Sequence, residues 1–214
     1  MLQGSAFASV NPRRRRAPVQ PAALPAGPPA GPRYPEPVIE QSAGELVASR
    51  IATIPDFPEP GVTFRDLTPV FASAPALHAL ATGLTAPFAG RFDALGGIEA
   101  RGFLIAGAAS ALTGAGVLTV RKAGKLPRAV LREEYDLEYG RAALEVHEGE
   151  LAPGARVLIV DDVLATGGTV AAAARLVERA GWQVVGISVA LELTALGGRT
   201  ALGDRYEIFS LLQY

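Results

Sequence analysis

Cysteine is absent from the 214 residues. That excludes disulfides, thiolate metal sites and a cysteine nucleophile, and it fits a cytoplasmic protein. Histidine is nearly as scarce, with His78 and His147 as the two examples. His78 falls in an amphipathic stretch and His147 in a mixed one, so both are expected to be structural or exposed rather than catalytic. Aromatic residues make up 7% of the chain, so a core must come mainly from its Ala, Leu and Val. No uninterrupted apolar run reaches the roughly 20 residues of a membrane span, and no membrane association is expected. A formal charge of −1 argues against a general affinity for nucleic acid.

The near-neutral balance hides an asymmetry. Residues 1–40 hold five arginines and two glutamates, while the remaining 15 basic and 19 acidic groups lie in residues 41–214. The first forty residues also hold nine of the seventeen prolines. Residues 1–37 therefore read as a disordered tail rich in Pro, Ala and Arg, without a periodic apolar face. The run Arg13–Arg16 could in principle contact nucleic acid or membrane, or address an organelle. A solvated tail, or a translation start placed too far upstream, is the preferred reading.

A folded domain is expected from Val38 to Tyr214. Residues 40–53 carry helical spacing, then Ile54 to Gly61 form a proline-rich loop. Helices are expected over 75–88, 103–112 and 168–180, the last ended by Gly181. Strands are expected over 92–97, 117–120, 156–160, 184–191 and 207–212. This alternation predicts an α/β domain with a mostly parallel central sheet flanked by helices. Arg156–Val160 lacks polar alternation, as a central strand should. Ligands of such sheets bind beyond the carboxyl ends of the strands.

The segment there is Val157-Leu158-Ile159-Val160-Asp161-Asp162-Val163-Leu164-Ala165-Thr166-Gly167-Gly168-Thr169. An apolar strand leads to two carboxylates, and a glycine- and hydroxyl-rich turn opens a helix. A helix N-terminus offers unpaired N–H groups and partial positive charge to an anion. Gly167 and Gly168 allow close backbone approach, and Thr166 and Thr169 can add hydroxyl donors. The turn contains no lysine and does not match GxxxxGK[ST], so it is not a nucleotide-triphosphatase loop. One phosphate on neutral donors is the better reading. Asp161 and Asp162 would repel that phosphate but suit sugar hydroxyls. As neighbours on a strand they should have unequal roles.

Val157–Thr169 resembles the phosphoribosyl-diphosphate motif of type I phosphoribosyltransferases. Other segments narrow the resemblance. Pro55–Pro58 and Pro60–Asp66 look like the amino-terminal base-binding loop of the adenine phosphoribosyltransferases. Glu99-Ala100-Arg101-Gly102-Phe103 is similar to that family's pyrophosphate loop, and Val120–Pro127 to its basic loop. Tyr135–Gly140 is similar to its flexible catalytic loop, and Phe209–Tyr214 to its carboxyl end. The resemblance covers about residues 42–214, in order.

It implies a type I phosphoribosyltransferase fold with a small N-terminal base-binding hood. It further implies a purine-salvage enzyme that transfers the 5-phosphoribosyl group from phosphoribosyl diphosphate to adenine, giving AMP and pyrophosphate. Asp161, Asp162, Ala165, Thr166, Gly167, Gly168 and Thr169 would hold the ribose 5-phosphate. Glu99, Ala100, Arg101, Arg121, Lys122 and Lys125 would form the pyrophosphate side, with Arg101 also catalytic. Glu138 would be the carboxylate near the reacting centre, beside Tyr139. Phe64 would stack on adenine, with backbone groups of Thr63 and Arg65 at the base edge. Mg²⁺ is implied by the substrate, held through phosphates, sugar hydroxyls and water rather than a protein cage. A homodimer is also implied. A transferase for guanine or xanthine fits the Phe64 and Glu138 loops less well. A transcriptional regulator would need a helix-turn-helix module, which residues 1–37 cannot form.

Overall fold

The computed structural model describes residues 42–136 and 140–214. The expected tail, and the positions of Glu138 and Tyr139, lie outside the described residues.

The chain enters through helix α1 (Ala43–Ala48). Ser42 and Glu45 form a capping box, the Ser42 Oγ accepting from the Glu45 N–H at 3.2 Å and the Glu45 carboxylate accepting from the Ser42 N–H at 2.7 Å. The helical spacing over 40–53 is thus only half realised. After Ser49 the chain extends into strand β1 (Ala52–Ile54), which pairs antiparallel with β2 (Phe64–Asp66). β-Branched Thr53 and Ile54, followed by Pro55, favour extension over another helical turn. This two-stranded sheet stands where the resemblance expects the base-binding hood.

Helices α2 (Thr68–Phe71) and α3 (Ala74–Thr85) follow. Ala76, Leu80 and Leu84 of α3 are buried at four-residue spacing, and His78 is exposed on the other side. Then come β3 (Ala94–Ile98), α4 (Arg101–Thr113), β4 (Gly116–Lys122), β5 (Val130–Asp136), β6 (Arg141–His147) and β7 (Arg156–Leu164). The chain closes with α5 (Gly168–Arg179), β8 (Gln183–Glu192), α6 (Gly198–Leu202) and β9 (Ile208–Gln213).

Seven strands form the main sheet in the order β5-β6-β4-β3-β7-β8-β9. The five from β4 to β9 run parallel, and β6 and β5 add an antiparallel hairpin at one edge. The expected mostly parallel sheet is therefore present. β7 shows why it needs cover on both faces. Val157 and Ile159 pack in a core with Val170, Ala173 and Val177 of α5. Leu158 and Val160 pack in a second core with Leu80 of α3 and Ile105 of α4. Among the described residues no helix is long and apolar enough to cross a membrane.

Two local differences matter for the site. β7 does not stop at Val160 but continues through both aspartates to Leu164, because β8 runs alongside it as far as Glu192. β3 stops earlier, its last partner on β7 being Val160. A cleft therefore opens beside Asp161 on the β3 side only. The second difference is the β5–β6 hairpin, which lacks a clear apolar run in the sequence.

Candidate active site

The cleft lies where the connections diverge: β3 leads through α4 to β4, and β7 leads through α5 to β8. This is the switch point at which open α/β sheets bind ligands. A cavity of about 400 Å³ occupies it, lined by Glu99, Lys122, Asp161, Asp162 and the whole turn from Ala165 to Thr169. Two expected groups, the phosphate turn and part of the pyrophosphate set, thus share one cavity. Tyr135, Ala142, Val163 and Val170 also line it.

Gly167 caps α5 in the left-handed region, φ 87°, and no side chain caps the helix. The first-turn N–H groups of α5 are left for an anion. A Cβ on Gly167 would lie 2.8 Å from the Gly198 carbonyl oxygen, and one on Gly198 would lie 2.2 Å from that of Ala165. The turn and the start of α6 are therefore in backbone-to-backbone contact. Gly198 is a site-shaping residue that sequence reasoning missed. The Gly197-Gly198 pair was its only signal.

Asp161 is 8% exposed, whereas Asp162 is half-buried. One Asp161 oxygen accepts from the Asp162 N–H at 2.9 Å. Burial, and then the neighbouring Asp162 charge, pushes the Asp161 carboxyl well above its ordinary range. The adjacent acids are physically unequal: one buried and inclined to keep its proton, the other half-buried.

Asp162 accepts from Arg101 Nη1 at 2.9 Å. Arg101 stands in the first turn of α4, and its Nη2 lies 3.9 Å from Asp66 at the end of β2. Its guanidinium carbon is 6.0 Å from the centre of the Phe64 ring. A single arginine thus borders the acid pair and the β1–β2 sheet. Its position depends on Gly102, where a Cβ would sit 2.8 Å from the Val160 carbonyl oxygen. Any larger residue would force α4 away from β7.

Two further cations, Arg121 and Lys125, gather around Glu99. Its carboxylate accepts from the Lys122 N–H at 2.9 Å and from Lys125 Nζ at 2.5 Å, and Arg121 Nε lies 3.6 Å away. The Lys125 bond is the main reason the Glu99 carboxyl is held below its ordinary range. Glu99 thus draws Lys125 and Arg121 together at the cavity wall. The peptide between Glu99 and Ala100 is cis.

In the hood, Phe57 and Phe64 meet edge-on, with ring centres 5.3 Å apart. The Arg65 side chain turns toward Thr53, donating to its Oγ1 at 2.6 Å, and covers the Tyr214 ring at 4.3 Å. Thr63, just before β2, is exposed. Among the described residues no group of three or more His, Asp or Glu could hold a metal ion.

A sequence profile described as the phosphoribosyl transferase domain matches residues 72–206. The adenine phosphoribosyltransferase of Renibacterium salmoninarum is 59% identical over 174 residues, 81% of this chain and 95% of that protein. The chain belongs to the adenine phosphoribosyltransferase family. Its fold agrees with that of solved members. The adenine phosphoribosyltransferase of Rhodothermus marinus superposes with a TM-score of 0.74 at 46% identity, over 80% of this chain and 98% of that one. The Saccharomyces cerevisiae enzyme, solved with adenine and an imino-altritol bisphosphate, gives 0.74 at 33% identity, over 79% and 98%. The cleft described above thus lies in an adenine phosphoribosyltransferase fold.

Proposed function

We propose that the cleft transfers the 5-phosphoribosyl group from phosphoribosyl diphosphate to adenine, releasing pyrophosphate and giving AMP for purine salvage. The observation that carries this reading is the cavity in which a neutral phosphate turn and an acid pair meet Lys122 and Glu99, with Arg121 and Lys125 drawn to the Glu99 carboxylate. Such a split suits a sugar with one phosphate to keep and one pyrophosphate to lose.

The α5 N-terminus, with Thr166 and Thr169, holds the 5-phosphate. Asp161 and Asp162 accept or share protons with the ribose diol. Arg101, Arg121, Lys122 and Lys125 stabilise charge that grows on the leaving pyrophosphate. Glu138 stabilises the sugar cation or takes the purine N–H proton, with Tyr139 beside it in the sequence. Phe64 stacks on adenine, and the backbone of Thr63 and Arg65 reads its edge. Pyrophosphate release from phosphoribosyl diphosphate on adding adenine, followed by ³¹P NMR, tests the assignment. Release that does not depend on adenine contradicts it.

The donor chemistry of the cleft fits Mg²⁺. Substrate phosphates, ribose hydroxyls and water would make up its shell rather than a cage of protein ligands. When bound, the ion neutralises part of the pyrophosphate charge. The proposed assembly is a homodimer, supported by exposed Leu104 and Leu112 on α4 and Val117 on β4, an apolar face that a second copy would cover. The proposed compartment is the cytoplasm, since polyanionic sugar phosphates do not cross membranes unaided. The domain is proposed to span residues 38–214, with residues 1–37 dispensable for turnover.

A further inference from the structure

Glu192 ends β8 and is 4% exposed. Its carboxylate receives two parallel bonds from Arg199, Nε to Oε1 at 2.9 Å and Nη2 to Oε2 at 2.6 Å. Ser210 and Gln213 of β9 donate to the same carboxylate, at 2.5 and 3.2 Å. Arg199 also donates to the Ile208 carbonyl at 2.9 Å and to Ser210 Oγ at 3.0 Å. Its planar fork is filled in a way lysine cannot reproduce. None of these groups lines the substrate cavity, so substrate contact does not explain so complete a network.

The residue before Arg199 does suggest an explanation. Gly198 lies flush against the phosphate turn, where a Cβ would meet the Ala165 carbonyl oxygen at 2.2 Å. Gly167, the residue that opens α5, would meet the Gly198 carbonyl from the other side at 2.8 Å. The turn is further tied to β8 by the Leu193 N–H, which donates to the Leu164 carbonyl at 2.9 Å. Glu192 therefore anchors a short strut running through Arg199 and Gly198 to the back of the turn.

We infer that Arg199 and Glu192 are positioning residues for the ribose 5-phosphate: they fix Gly198 behind Ala165–Gly167 and so hold the turn's N–H groups at the geometry the phosphate needs. The inference rests on the phosphoribosyl-transfer reading of the cleft. Misplacing a binding group by about 1 Å can cost up to about a hundredfold in rate, so a wall with no ligand contact can still set affinity.

The test compares Arg199→Met, Arg199→Lys, Glu192→Gln and Gly198→Ala with Leu80→Ala, a core truncation on α3. Ribose 5-phosphate binding is measured by calorimetry, and KM for phosphoribosyl diphosphate and for adenine by steady-state assay. Arg199→Met and Gly198→Ala should weaken ribose 5-phosphate about tenfold, and raise KM for phosphoribosyl diphosphate in step, with adenine KM within about twofold. Arg199→Lys and Glu192→Gln should fall between these variants and the wild type. Leu80→Ala should lower Tm without changing the ratio of the two KM values. Unchanged ribose 5-phosphate affinity in Arg199→Met and Gly198→Ala would overturn the inference. So would equal losses for both substrates that follow Tm. Calorimetry reads phosphate binding without turnover, so a failure of the strut is distinguishable from a failure of the proposed reaction.

Discussion

Arg101 donates to Asp162 across 2.9 Å, tying the first turn of α4 to the end of β7. The same guanidinium is near Asp66 and the Phe64 ring. It therefore joins the walls assigned to sugar, pyrophosphate and base. Arg101→Ala should lower kcat by about a hundredfold or more, the usual scale for losing a donor aimed at developing negative charge. Steady-state kinetics read this directly. A change confined to adenine KM would instead place Arg101 with the hood alone.

The acid pair should respond asymmetrically. Asp161→Asn replaces a carboxyl that burial already inclines toward its neutral form, and an Asn oxygen can still accept from the Asp162 N–H. KM for phosphoribosyl diphosphate should rise by less than about threefold, whereas Asp162→Asn, which removes the negative charge paired with Arg101, should raise it by about tenfold. Stability carries a second signature. The Asp161 pKa is raised above its ordinary 3.8, so its contribution is full below that value and is lost as pH rises through the folded value. Asp161→Asn should therefore have a higher Tm than wild type at neutral pH, and the difference should close below about pH 4. Thermal melts across pH check the sign, and a wild-type advantage at neutral pH would contradict it.

Tyr214 should matter for adenine and not for the sugar phosphate. Its ring is covered by the Arg65 guanidinium, and its backbone is held by the Glu192 carbonyl and by Thr194. Tyr214→Ala removes a cation–π contact of about 0.5–2 kcal/mol and frees the side chain of β2 that flanks the base-reading backbone. Adenine KM should rise several-fold, with Tyr214→Phe close to wild type. Equal effects of the two substitutions would show that the hydroxyl, not the ring face, is the working group.

The sequence made the central strand, the phosphate turn and the alternation of strand and helix legible, because each rests on a local signal. The apolar run Val157–Val160 and the Thr166–Thr169 turn are examples. Relationships set by distant pairing were not legible. The end of β7 at Leu164 is decided by β8, and nothing within 160–164 announces it. The helical spacing over 40–53 does not announce β1, because Ala52–Ile54 become a strand only by pairing with Phe64–Asp66. Gly198 lies thirty-one residues from Gly167, and only packing brings them together. Glu99 was grouped with the pyrophosphate-binding residues from its motif, and its actual neighbours are the cations themselves. The positions of Glu138 and Tyr139 rest on the family resemblance.

The most direct measurement of the central claim is a base panel. The protein is incubated with phosphoribosyl diphosphate and Mg²⁺, and with adenine, guanine, hypoxanthine or xanthine in turn, and nucleotide products are separated by chromatography. AMP from adenine, with no comparable product from the other three bases, is the predicted result. Tight binding of phosphoribosyl diphosphate with no nucleotide formed from any base, or preferential formation of another nucleotide, would contradict the account.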